Sequence, residues 1–185
     1  IDGVNIKDLP FSVLRENISI VSQETYLFMG TILDNIRYAR PDATLDEVIE
    51  ASKIAGAHDF IMKLPQGYDT VIGESGGTLS GGERQRISIA RAMMKDAPIV
   101  ILDEATANVD PENEKELMDA IAALTHEKTV IMIAHRLKTV RDADKIIVVD
   151  KGRIAESGTH DELMRENGIY KSFIIGREKA VGWKL

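Results

Sequence analysis

Three stretches of the chain are apolar runs that stop abruptly on polar side chains. In NISIVSQ, Ile18, Ile20 and Val21 lead to Gln23; in PIVILDE, Ile99 to Leu102 lead to Asp103 and Glu104; TVIMIAH ends at His135. Continuous β-branched runs of this kind suit strands covered on both faces, which predicts a parallel sheet with helices on either side. The intervening segments carry helix starts. Ser80 with Glu83, Thr44 with Glu47 and Thr159 with Glu162 have the spacing of a capping box, and Asp110-Pro111 places an N-cap before a first-turn proline. The expected fold class is therefore α/β. A fourth apolar run, KIIVVD, differs from the others: Asp150 is followed by Lys151-Gly152-Arg153 and a second alternating stretch, which predicts a hairpin turn and a structural role for Asp150.

In open α/β sheets ligands bind beyond the carboxyl ends of the strands, so Gln23, Asp103, Glu104 and His135 are expected to converge on one crevice. A polar residue after one strand means little; three in register are specific. Adjacent carboxylates can divide the work, one holding Mg²⁺ through its waters and the other orienting or deprotonating an attacking water. Gln23 can reach the metal or that water without adding charge, and His135 can hydrogen-bond a terminal phosphate oxygen.

The stretch LSGGERQR, Leu79 to Arg86, adds an anion site. Gly81 and Gly82 let the backbone approach closely, and the free N–H groups of a first helical turn point at whatever sits there. Ser80 and Glu83 also read simply as a capping box, and both roles can coexist. Glycine in a first turn costs up to about 1 kcal/mol relative to alanine, which stability alone does not explain. Beyond it, Ile87, Ala90, Ala92, Met93 and Met94 form an apolar helix face, with Arg84, Gln85, Arg86 and Arg91 largely elsewhere, until Asp96-Ala97-Pro98 stops the helix. His58, His126 and His160 have no metal-ligand spacing and read as surface or cap residues.

Composition narrows the picture. With 185 residues the chain can bury a substantial core, and a net charge of −7 argues against nucleic acid as the main partner. It has no cysteine, hence neither disulfides nor thiolate metal sites. Its apolar runs are far shorter than the roughly 20 residues of a membrane-spanning helix. The abrupt opening on IDGVNIKDL, without methionine, reads as a piece of a longer polypeptide.

Taken jointly, these residues resemble the nucleotide-binding domain of ABC transporters: LSGGERQR its signature motif, IVILDE its Walker B strand with the catalytic glutamate, Gln23 its Q-loop, ATANVD its D-loop and IAHR its switch-histidine loop. The resemblance implies a P-loop NTPase core with a helical subdomain, and ATP and Mg²⁺ as cofactors. It implies Mg²⁺ coordination at Asp103 and Gln23, water activation at Glu104, γ-phosphate contact at His135, phosphate contact at Ser80, Gly81, Gly82 and the adjoining Glu83, and a subunit contact at Asp110. By the same likeness, residues 1–23 are a core remnant, 24–96 the helical lobe and 97–185 the rest of the core. QETYLFMGTILDNI and VIGESGG, with Glu74, resemble exporter segments; the first would receive the membrane domains. Without the family, Tyr26, Leu27 and Phe28 could equally be core.

Asn108-Val109 departs mildly from the family pattern, and GxxxxGK[ST] occurs nowhere in the chain. In the family two domains face each other head to tail, and each signature closes over the other's nucleotide. The implied reading is an exporter ATPase working at the cytoplasmic face of the cell membrane, as a homo- or heterodimer. The alternatives are a soluble ABC-type ATPase without transport, or a truncated module completing a partner's site.

Overall fold

The computed structural model describes residues 1–73, 79–104, 111–133 and 140–182, with backbone alone at 111–114 and 177–182. The chain divides into two compact units, Ile1–Ile133 and Ala134–Leu185.

The first unit opens with α1 (Phe11–Asn17) and β1 (Ile18–Val21). A helical lobe follows: β2 (Gly30–Thr31), α2 (Ile32–Ile36), α3 (Leu45–Ile54), α4 (His58–Ile61), β3 (Val71–Ile72) and α5 (Gly81–Lys95). The chain then returns through β4 (Ile99–Asp103), α6 (Pro111–Thr125) and β5 (Thr129–Ile133). The strands β1, β4 and β5 form one parallel sheet in that order, and β2 pairs with β3 antiparallel. Each of the three apolar runs is thus a strand of the expected parallel sheet.

Register and burial agree. Val21 sits opposite Leu102, and Ser19 opposite Val100; all four are buried, on the side where α5 packs against β1. Val21, Val100 and Leu102 join Ile87 of α5 and Leu117 and Leu124 of α6 in the main core, each large side chain contributing about 1.5–3 kcal/mol by leaving water. The other face of the sheet departs from expectation. Ile20 is 58% exposed, Ile131 52% and Ile133 51%, and on β5 Val130 and Met132, which share the side of Val100 and Leu102, are exposed as well, so among the described residues one face has its cover, and that only at β1 and β4. A continuous apolar run marks a strand that needs two covered faces, but does not say which elements supply them.

The helix starts follow the sequence closely. The N–H groups of Ser80, Thr44 and Thr159 donate to the carboxylates of Glu83, Glu47 and Glu162 at 2.7, 2.8 and 2.8 Å, completing three capping boxes. A fourth box joins Thr31 to Asp34. The helix α5 ends where expected, with Asp96 as a left-handed C-cap at φ 50°.

The second unit is built on β6 (Ile146–Asp150) and β7 (Arg153–Gly158), an antiparallel hairpin closed by the pair Asp150 and Arg153. Lys151 and Gly152, at φ 47° and 75°, make the two-residue turn with both central residues left-handed, the geometry that matches strand twist. The helices α7 (His160–Arg165) and α8 (Ile169–Gly182) complete the unit; Leu163, Tyr170 and Ile174 bury Ile146.

The capping boxes make a pH prediction. Hydrogen bonds from the Thr44 and Thr159 backbones, then from their hydroxyls, hold Glu47 and Glu162 below the ordinary glutamate value of 4.5. Because the folded values are depressed, this stabilisation is complete above 4.5 and is lost as pH falls through the lowered values. Glutamine keeps the box without titrating. The variant carrying Glu47→Gln and Glu162→Gln is therefore expected to lose less Tm than the parent between about pH 5 and pH 3; identical acid limbs in calorimetry would count against the assignment.

Candidate functional site

The zero-slip pairing of β1 with β4 places the candidate residues. Asp103 lies one residue past Leu102 and Gln23 two past Val21, so both leave the sheet at its carboxyl edge, on strands about 4.8 Å apart. Glu104 extends the ladder by one bond, its N–H donating to the Ile133 carbonyl at 3.1 Å. There the backbone turns sharply: Glu104 has φ 45°, a left-handed conformation that costs a non-glycine residue about 1–2 kcal/mol. Strain on a carboxylate at a strand end is the kind of outlier that accompanies a functional constraint. Asp103 and Glu104 are half-buried, and Gln23 is exposed. His135, two residues past the end of β5, lies outside the described residues, as do Asp110 and Glu74.

A second group forms the first turn of α5. Leu79 is buried and anchors the entry to the helix. The capping box engages the N–H groups of Ser80 and Glu83, at 2.7 and 3.3 Å, and leaves those of Gly81 and Gly82 outside it. Both readings of LSGGE thus fit one geometry: Glu83 is committed to the cap, while the N–H groups of Gly81 and Gly82, at the positive end of a 15-residue helix, are left outside it.

The segment after Gln23 runs beside α5. Leu27 is fully buried, whereas Tyr26 and Phe28 on either side of it are exposed, so the sequence alternatives of core and surface are both realised. Phe28 stacks on Tyr38 with ring centroids 4.3 Å apart and meets the edge of Tyr26 at 5.2 Å. Thr25 Oγ1 donates to Gln85 Oε1, and Arg91 donates to the Tyr26 carbonyl at 3.1 Å. The polar residues of α5 were expected largely off its buried face, yet Gln85 and Arg86 are buried. Arg86 pairs with Glu116 of α6 at 3.2 Å and lies over the Phe60 ring.

The family profile and a solved relative place this parallel α/β sheet, with its amide and paired carboxylates at one edge, in the P-loop NTPase class. The ABC transporter family profile matches residues 1–107, and the chain belongs to that family. It is 52% identical over 172 residues to an ATP-dependent lipid A-core flippase of Haemophilus influenzae, matching 92% of this chain and 29% of that protein. It is 51% identical over 179 residues to ABC transporter B family member 2 of Dictyostelium discoideum, matching 97% of this chain and 13% of that protein. Among solved structures, a bacterial Atm1-family ABC exporter with ATP bound superposes with a TM-score of 0.87 at 45% identity, over 96% of this chain and 31% of that one. The chain therefore spans less than a third of the length of these relatives.

If Gly81 and Gly82 serve a ligand rather than the helix, replacing them should stabilise the protein. Gly81→Ala is expected to raise the unfolding free energy by up to about 1 kcal/mol, and Ser80→Ala to lower it by about 0.5–2 kcal/mol through loss of the cap. Urea titration followed by circular dichroism reads both; a destabilised Gly81→Ala would make that glycine a packing requirement.

Proposed function

We propose that the chain is the ATP-binding and hydrolysing portion of an ABC exporter, in which a head-to-tail pair of such domains couples hydrolysis to movement of substrate across a membrane. The observation that carries this reading is the shared carboxyl edge of β1 and β4, with Gln23 beside Asp103 and Glu104, in a chain similar to ATP-dependent exporters. Residues 24–96 are the helical lobe, and residues 1–23 and 97–185 belong to the core.

The donor set fits a nucleotide-bound Mg²⁺, which takes one or two carboxylates together with phosphate oxygens and water. Asp103 supplies the carboxylate and Gln23 a neutral oxygen; the ion's contribution is to neutralise charge on the phosphates. Glu104, turned out of the sheet by its left-handed backbone, accepts a proton from the attacking water. His135 donates to the γ-phosphate, while Ser80, Gly81 and Gly82 offer their donors to the nucleotide of the opposing domain, near Asp110. That arrangement explains an anion cradle with no lysine of its own: the lysine belongs to the phosphate loop of the opposing domain. The exposed Tyr26, Phe28 and Tyr38 receive the membrane domains, and the assembly works at the cytoplasmic face of the cell membrane.

Glu104→Gln in the full-length protein is expected to slow hydrolysis about 10²-fold or more while sparing ATP binding. Near-normal turnover in a coupled phosphate-release assay would remove Glu104 from the role of base. The 185 residues taken alone, which contain no GxxxxGK[ST], are expected to bind ATP too weakly for calorimetry; micromolar binding would contradict the assignment of phosphate binding to a segment outside them.

A further inference from the structure

We infer that Arg91 and Asn35 form a lock that makes the aromatic loop, residues 26–31, and the Ser80 to Gly82 cradle one mechanical body. The inference rests on the proposed roles of the loop as docking surface and of the cradle as the neighbour's lid. Its geometry stands independently of those roles.

Arg91 projects from α5 with its guanidinium spread over three acceptors. Nε donates to the Asn35 backbone carbonyl at 2.8 Å, one terminal nitrogen to Asn35 Oδ1 at 2.8 Å and the other to the Tyr26 carbonyl at 3.1 Å. The same guanidinium lies 5.2 Å from the centroid of the Phe28 ring. Asn35, only 1% exposed, completes the clasp from α2. Its Nδ2 donates to the carbonyls of Phe28 and Thr31 at 2.8 and 3.0 Å, and its Oδ1 also accepts the Phe28 N–H at 2.8 Å. The amide therefore uses two donor and two acceptor positions, its full capacity.

The loop is thus tied to one helix at two adjacent residues, Tyr26 to Arg91 and Thr25 to Gln85, the latter nearer the cradle. From Arg91 to the first turn of α5 is about 15 Å of continuous helix. A helix transmits displacement along its axis, so a load on Tyr26 or Phe28 reaches the cradle instead of dissipating in the loop. Lysine cannot replace the arginine here, because one ammonium cannot present a planar fork to acceptors on two segments. Arg91 is a positioning residue: no role in contacting nucleotide is assigned to it.

The test uses the full-length protein with Arg91→Met, Arg91→Lys, Asn35→Ala and the double variant Arg91→Met with Asn35→Ala. Hydrogen exchange of the peptide covering residues 26–31 is expected to accelerate about 10-fold or more in Arg91→Met, and ATP turnover at saturating ATP to fall roughly 2–30-fold. The double variant should turn over no more slowly than the worse single variant, and Arg91→Lys should lose turnover while keeping a Tm near the parent's. Unchanged loop exchange in Arg91→Met, multiplicative losses in the double variant, or parental turnover in Arg91→Lys would overturn the lock. If the parent hydrolyses no ATP, the proposed function fails by itself, and the exchange measurement alone decides whether the clasp exists.

Discussion

The structure depends on the unshifted parallel pairing of β1 with β4. Side chains alternate across a strand, so a slip of β1 by one residue against β4 would turn Val21 and Ser19 out of the core while Leu102 and Val100 stayed in it. Burial thus fixes the register. The same register brings Gln23 and the Asp103-Glu104 pair to one edge, so the proposed chemistry would inherit its alignment from the core. The remaining local cost is the left-handed turn at Glu104, which the surrounding ladder bond to Ile133 holds in place.

The second constraint is α5, which is buried on more sides than an amphipathic surface helix would be. It packs against β1, α2, α3 and α6, and its polar side chains are drawn inward with its apolar ones. Burying arginine is unfavourable unless its donors are occupied. Arg91 meets that requirement with Asn35 and Tyr26; Arg86 meets it in part, pairing one terminal nitrogen with Glu116 and lying over Phe60 while its Nε has no partner among the described residues. Each polar contact reaches a different element, so the helix that carries the cradle is also where the lobe is tied together.

What could be read in the sequence follows from range. Strand ends and capping boxes are local patterns, and the runs ending at Gln23, Asp103 and the Ser80, Thr44 and Thr159 starts correspond to elements in the structure. The Thr31 box lies outside the S/T-x-x-E pattern because aspartate stands in place of the usual glutamate. The Arg91 clasp was invisible for another reason: its partner lies 56 residues away, and nothing in ISIARAMM names that partner. Composition alone could not choose between core and surface for Tyr26, Leu27 and Phe28, because alternation lets neighbours take opposite sides, as Leu27 and Phe28 do. His135 and Asp110 rest on motif alone.

The uncovered face of the sheet bears on the same site. Ile20, Ile101 and Ile131 share a register line, and Asp103 follows two residues after Ile101, paired with Ile133. Asp103 therefore belongs to the exposed side of the sheet and not to the side occupied by α5. Contiguous apolar surface of this kind is stable in water only when something covers it or when it is small. Any element that seals Ile20, Ile131 and Ile133 must pass beside the carboxylate that the proposed mechanism assigns to Mg²⁺.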